Sequence, residues 1–313
     1  GINAISRQVG ADVWVLDMGI IPQLDISSIP GADRLIVEKI GNGTANFTTR
    51  PAMSRRDAEK ALRVGFEQAS RLIEDGADLL GTGDMGIGNT TPSAAIGAVL
   101  CGASLDAMVG RGTGVDAAAL ARKRDIVQQG IKINRPDAED GLDVLAKVGG
   151  FEIGGIAGTI LAGAYHRQAV VLDGFISTAG ALIAHALCPT VTDYIFAGHR
   201  SEEAGHGIML KHLGLEPILD LFLALPLFII SVNGANETQR TSQLGVLRAD
   251  VGSHDEHGVA ERYRMSQVVL KLPLLKHLKQ EVEHIRMSLL DLIQEHDGIG
   301  PSPDSLGQQT SLL

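Results

Sequence analysis

Two periodicities alternate along the first two hundred residues of the chain. Short Val/Ile/Leu-rich runs closed by glycine, 11-ADVWVLDMG-19, 35-LIVEKIG-41, 77-ADLLGTG-83 and 169-AVVLDGF-175, have the nearly continuous apolar pattern of strands buried on both faces. Between them the spacing changes to that of helices. In 55-RRDAEKALRVGFEQASRLIEDG-76, Ala58, Leu62, Phe66, Ala69 and Ile73 recur at helical intervals; Ser54 and Asp57 form a capping-box pattern at the start, and Gly76 closes the run. Repeated β-then-α alternation predicts an α/β fold, an open and mostly parallel sheet with helices on both faces (Rossmann-like), plus a smaller helical part.

Sheets of this type bind ligands outside the carboxyl ends of their strands. The glycines of this chain fall there. Gly81-Thr82-Gly83-Asp84-Met85-Gly86 follows one strand and Asp173-Gly174-Phe175 another. Two further glycine-rich turns, 109-VGRGTGVD-116 and 149-GGFEIGGIAG-158, lead into a basic helix start, 120-LARKRD-125, and a small-residue helix. Taken singly, each reads equally well as a tight turn. Together, with Arg111 and Lys123 beside one and Asn89, Thr90 and Thr91 beside another, they point to a phosphate or nucleotide site, because glycine lets backbone N–H groups approach an anion and a helix N-terminus favours negative charge. The P-loop spacing is absent. The bare G-x-G-x-x-G at residues 81–86 lacks a convincing ribose-binding acid about 20 residues on, which makes dinucleotide binding the lesser reading.

The character changes beyond residue 230. Residues 231–258 are polar and aperiodic and read as linker or loop; 259–297 read as a helical segment, with Leu275, Leu278, Val282, Ile285, Leu289 and Leu292 on a heptad seam; 298–313 read as a disordered tail. Residues 1–230 then form the α/β domain.

Composition narrows the partners. At 313 residues and 44% hydrophobic, the chain can bury a large core, and a net charge of −10 argues against a general grip on nucleic acid or an anionic membrane. The most apolar window, 218-ILDLFLALPLFIISV-232, is shorter than a membrane span and holds Asp220 and Pro226. Two cysteines far apart, Cys101 and Cys188, suggest neither a disulfide framework nor a zinc site, and the opening residues do not read as a signal peptide, so a cytoplasmic location is expected. His199 and His206 lack metal-ligand spacing, and no metal or cofactor is expected. Asp84 and Glu152 stand among glycine and apolar residues, where a carboxyl is poorly solvated and suited to act as a general base. Each also has a plainer reading, as a turn cap or an ion-pair partner.

Five motifs in order, Gly83-Asp84-Met85-Gly86-Ile87-Gly88-Asn89-Thr90-Thr91-Pro92, Val109-Gly110-Arg111-Gly112-Thr113-Gly114, Lys147-Val148-Gly149-Gly150-Phe151-Glu152, Leu172-Asp173-Gly174-Phe175 and Gly198-His199-Arg200-Ser201-Glu202, resemble the nicotinate-nucleotide:dimethylbenzimidazole phosphoribosyltransferase family over residues 1 to about 228. The resemblance implies phosphoribosyl transfer from nicotinate mononucleotide to 5,6-dimethylbenzimidazole, giving α-ribazole 5′-phosphate and nicotinate in cobalamin lower-ligand assembly, by a cytoplasmic homodimer without a metal. It further implies that Gly86, Asn89, Thr90, Gly112, Thr113, Lys123, Gly174 and Ser201 hold the mononucleotide, with Gly83, Met85, Thr91, Arg111, Glu152, Asp173 and Phe175 also lining the substrates. Asp84, where the family more usually has glutamate, is the catalytic candidate. Two departures stand out. The family's Pro-Pro-Gly-Ser-Leu-Gly motif is expected to precede residue 1, and 218-ILDLFLALPLFII-230 joins directly two flanks between which the family carries its catalytic glutamate. A nucleotide-binding or interaction protein that keeps the phosphate loops and is catalytically impaired is the alternative.

Overall fold

A computed structural model describes residues 6–7, 10–24, 32–110, 117–219 and 230–231. The expected linker at 231–258, the helical segment at 259–297 and the tail lie outside the described residues, apart from Ser231.

The core is a four-stranded, all-parallel sheet with its strands in sequence order: β4 (Leu79–Gly81), β5 (Ala169–Leu172), β6 (Ile195–His199) and β7 (Pro217–Leu219). Register runs Leu80 to Val170, then Val171 to Phe196, then Ala197 to Pro217. Near the start of the chain, β1 (Asp12–Val13) pairs antiparallel with β8 (Ile230–Ser231), and β2 (Val15–Asp17) pairs parallel with β3 (Leu35–Val37). The apolar run at 11–19 is thus divided between two partners. Strands β6 and β7 follow no strand-like run singled out in the sequence. Pro217 is tolerated at the first residue of β7, which ends the sheet, because an edge position leaves its missing donor without consequence.

Helix α1 (Arg55–Glu74) begins where the capping box predicts: Ser54 Oγ accepts from the Asp57 N–H, and the Asp57 carboxylate accepts from the Ser54 N–H. It ends in a Schellman motif. Gly76 at φ +103° takes the left-handed position, with its N–H on the Ile73 carbonyl and that of Ala77 on the Leu72 carbonyl. The remaining helices are α2 (Thr90–Leu100), α3 (Leu105–Met108), α4 (Ala117–Asn134), α5 (Gly141–Val148), α6 (Phe151–His166), α7 (Phe175–Leu187) and α8 (His206–His212).

Helices α1 and α6 pack almost backbone to backbone. A side chain on Gly65 would collide with the Gly155 carbonyl, and one on Gly158 with the Leu62 carbonyl. This approach changes which face of α1 is deepest: Ala58, Ala61, Val64, Gly65, Gln68 and Ala69 are buried, while Leu62, Phe66 and Ile73 are only partly buried against the core. Helix α6 is buried through most of its length, from Ile153 to Ala164, and α7 from Ser177 to Ala184. Both read as small-residue helices because they are enclosed by neighbours on every side.

Candidate active site at the carboxyl ends of the parallel strands

The loops after β4, β5 and β6 converge at one end of the sheet. After β4 the ladder extends by one bond, Thr82 N–H to the Val171 carbonyl at 2.9 Å, before the chain departs through Gly83 and Asp84. Gly88, at φ +83° with open space where a Cβ would stand, turns that loop into α2. Among the described residues no side chain caps α2. Asn89, at its N-cap, instead directs Nδ2 to Asp84 Oδ1 at 2.6 Å, and its own Oδ1 is buried without a hydrogen-bond partner among the described residues. The first amides of α2 therefore remain available to a ligand.

Lys123, in the second turn of α4, reaches that end of α2. Its Nζ donates to Thr90 Oγ1 at 3.0 Å and to the Gly110 carbonyl at 3.3 Å. Burial lowers its pKa, and the nearby Glu203 carboxylate opposes that effect. Glu203 occupies the space a Gly110 side chain would need, and its Oε2 is buried without a hydrogen-bond partner among the described residues. The β6 loop is thereby brought against the α2/α4 corner. On the other side, a Cβ on Gly174 would stand 3.6 Å from Ser201 Cβ, and one on Gly86 would meet Ile176 Cδ1 at 3.6 Å. An ammonium group and an uncapped helix N-terminus side by side form a site for an anion.

A second group of residues carries carboxyls. Burial raises the pKa of Asp84, partly offset by the Asn89 hydrogen bond. Glu152, in the first turn of α6, is pushed up to about 7, chiefly by burial; its own backbone N–H works against this and the Asp84 charge adds to it. Asp84 and Glu152 are therefore neighbours, although the two lie far apart in sequence.

The candidate residues are placed unevenly. Asn89, Thr90 and Lys123 meet at the anion corner, with Asp84 bonded to Asn89, Glu152 close enough to sense the Asp84 charge and Gly83 next to Asp84 in the chain; Gly174 and Ser201 adjoin each other where the loops after β5 and β6 meet. Thr91 lies in the first turn of α2. Met85 is 65% exposed, as an open rim residue, whereas Phe175 is 4% exposed and belongs to the core. Asp173 lies with Oδ1 at 3.8 Å from His199 Nδ1. Arg111, Gly112 and Thr113 fall outside the described residues. Sequence reasoning passed over Gly110, Thr178, Glu203 and, as anything other than a metal ligand, His206. Two histidines flanking two glutamates, His199 at the end of β6 and His206 at the start of α8 with Glu202 and Glu203 between them, were the available signal. No group of three metal-ligating side chains occurs among the described residues, and no described helix is long and apolar enough to cross a membrane.

Comparison with known proteins agrees with this architecture. A sequence model of the phosphoribosyltransferase family matches residues 1–226. The nicotinate-nucleotide–dimethylbenzimidazole phosphoribosyltransferase of Geotalea uraniireducens (strain Rf4) is 48% identical over 262 residues, covering 83% of this chain and 72% of that protein. That is more of the chain than residues 1–228 hold, so the likeness extends beyond the five motifs. The enzyme of the same name from Geobacter metallireducens is 53% identical over 225 residues, 72% of this chain and 62% of that protein. Among solved structures, CobT from Thermus thermophilus superposes with a TM-score of 0.67 at 46% identity, over 72% of this chain and 66% of that one. The chain thus spans 62% to 72% of the length of these relatives. It belongs to the phosphoribosyltransferase family that includes the nicotinate-nucleotide–dimethylbenzimidazole enzymes.

Proposed function

We propose that this chain transfers the phosphoribosyl group of nicotinate mononucleotide to 5,6-dimethylbenzimidazole, yielding α-ribazole 5′-phosphate and nicotinate for the lower ligand of cobalamin. The observation that carries the proposal is the uncapped N-terminus of α2 with Lys123 Nζ bonded to Thr90. The mononucleotide phosphate belongs there, held by α2 amides, Thr90, Lys123 and Ser201, with Gly86 and Gly174 leaving room for the ribose. Arg111, Gly112 and Thr113 complete the binding set in this reading, and residues 1–230 form the transferase domain of a cytoplasmic homodimer.

In the reaction, a benzimidazole nitrogen lone pair attacks the anomeric carbon from the face opposite nicotinate. The breaking C–N bond returns its electrons to the pyridinium ring, which leaves as neutral pyridine nitrogen. The second benzimidazole nitrogen then loses its proton to a carboxylate. Asp84 takes that proton, with Glu152 beside it, whose own pKa the Asp84 charge helps to raise. Much of the acceleration comes from holding phosphate and nucleophile in line, and base catalysis adds about 10²- to 10⁴-fold.

The test is calorimetric titration of the chain with nicotinate mononucleotide, followed by chromatography for nicotinate after adding dimethylbenzimidazole. Binding followed by release is expected. Binding without release would make the chain a catalytically silent nucleotide binder, and absence of binding would overturn the phosphate assignment. Sedimentation at micromolar concentration checks the dimer.

A further inference from the structure

His206 opens α8 with its ring fully buried, yet its Nδ1 faces the loop after β6 and its Nε2 the first turn of α7, both polar partners. Nδ1 accepts the backbone N–H of Ser201 at 2.9 Å, and Ser201 Oγ stands at the same distance. Because a backbone amide can only donate, Nδ1 carries no proton, and the neutral ring must carry it on Nε2. Nε2 stands 2.9 Å from Thr178 Oγ1, whose hydroxyl donates to the Gly174 carbonyl at 2.9 Å. The donors and acceptors thus run in one direction: from Thr178 to the loop after β5, from His206 to Thr178, and from the Ser201 amide to His206. The groups facing the ring favour this neutral form. His199 lies 6.4 Å away between ring centroids, Arg200 is the adjoining cation, and the Phe175 ring stands edge-on at 6.5 Å. Burial and these two neighbours lower the His206 pKa to about 4. With Nδ1 unprotonated, the Ser201 hydroxyl at 2.9 Å can only donate to it, sharing the lone pair with the amide, and a bound phosphate would compete for that hydroxyl proton while the amide bond stays in place.

We propose that His206 is a positioning residue: protonated on Nε2, it ties the Ser201 amide to Thr178 and so locks the loops after β5 and β6 together in the geometry that presents the Ser201 hydroxyl to the substrate phosphate. The inference rests on the mononucleotide reading above. It goes beyond that reading in assigning the task to a side chain that need not touch substrate.

Asparagine and glutamine separate the two halves of the link. The Asn side-chain oxygen falls near the position of Nδ1 and retains the acceptor for Ser201, whereas Gln reaches the position of Nε2 and retains the donor for Thr178. We would measure the Kd for nicotinate mononucleotide and the unfolding midpoint for the wild type, His206→Asn and His206→Gln. Each variant gives up one hydrogen bond, so the midpoints should fall by similar amounts. Affinity should fall about tenfold in His206→Gln, as expected for losing one hydrogen bond to a charged group, and less than about threefold in His206→Asn. Equal affinity losses in the two variants, or losses that simply follow the unfolding midpoints, would overturn the positioning role. Failure of the wild type to bind would instead remove the mononucleotide reading, and this inference with it. Should either variant not fold, ¹⁵N NMR of histidine-labelled wild-type protein decides: an Nε2–H tautomer whose Nδ1 resonance moves on adding the mononucleotide supports the role, and an Nδ1–H tautomer or an unmoved resonance overturns it.

Discussion

The two halves of the site respond to burial in opposite directions. In the anion half, burial lowers the pKa of Lys123 and His206; in the carboxyl half it raises those of Asp84 and Glu152. In each case the charged form is disfavoured. The difference lies in how the groups are held. Lys123 and His206 each bond to two groups, and those bonds set their direction. Asp84 receives one short bond from Asn89, while Glu152 is pushed toward neutrality by burial and by Asp84 itself. In the proposed reading the first half holds a fixed anion and the second changes protonation state. A binding site and a proton acceptor then share one end of a sheet, joined by Asn89, which bonds Asp84 from the N-cap of α2.

Substitutions that keep shape while altering one half should show this division. The largest effect is expected for Asp84→Asn, which keeps the Asn89 contact but removes the proton acceptor: kcat should fall about 10³-fold with little change in mononucleotide affinity, within the span of general-base effects. A parallel loss of affinity would mean that Asp84 serves binding instead. Lys123→Met retains most of the stem and removes the charge, and should weaken the mononucleotide about 100-fold, about 2.7 kcal/mol; calorimetry reads it directly, and a change below about threefold would exclude Lys123 as a phosphate ligand.

Glu152 tests the carboxyl half by stability. Its carboxyl rises from 4.5 in the unfolded chain to about 7 in the fold, so the folded state binds more protons between those values and stability falls as pH rises through that window. Glu152→Gln removes this slope. Urea titrations should find the variant matching the wild type near pH 4.5 and more stable by about 3 kcal/mol at pH 8. A constant difference across the window would place the raised pKa elsewhere. His206 gives the opposite sign: its folded pKa of about 4 lies below the ordinary 6.5, so its contribution to stability is present above 6.5 and is lost as pH falls toward 4. The smallest effect is expected for Ser201→Ala, about a tenfold loss of mononucleotide affinity with about 1 kcal/mol of stability lost with the Oγ–Nδ1 bond.

The order of strands and helices was legible because its signals are local. The capping box at Ser54 and Asp57, the glycine stop at Gly76 and the glycines after β4 and β5 all act within a few residues of where they stand. Strands β6 and β7 were not legible. β6 mixes Phe196 with Gly198 and His199 over five residues, and β7 starts on a proline; both become strands by pairing with a neighbour already in place. The deepest face of α1 was not legible either, for a related reason: helical spacing marks Leu62 and Phe66 along with Ala58 and Ala69, but the close approach of α6 through Gly155 and Gly158 buries Ala61, Val64 and Gly65 more deeply than Leu62 and Phe66.

Local chemistry along the chain was thus enough to set the α/β alternation, the placing of glycines at strand ends and the family motifs, because turn chemistry, capping and apolar period are properties of neighbouring residues. Which of those loops meet depended on the packed fold. Lys123 finds Thr90 across 33 residues, Thr178 finds His206 across 28, and Glu152 lies close enough to Asp84 to sense its charge. These contacts exist because a parallel sheet gathers the carboxyl ends of its strands at one edge, where shared burial sets the charge of every group that reaches it.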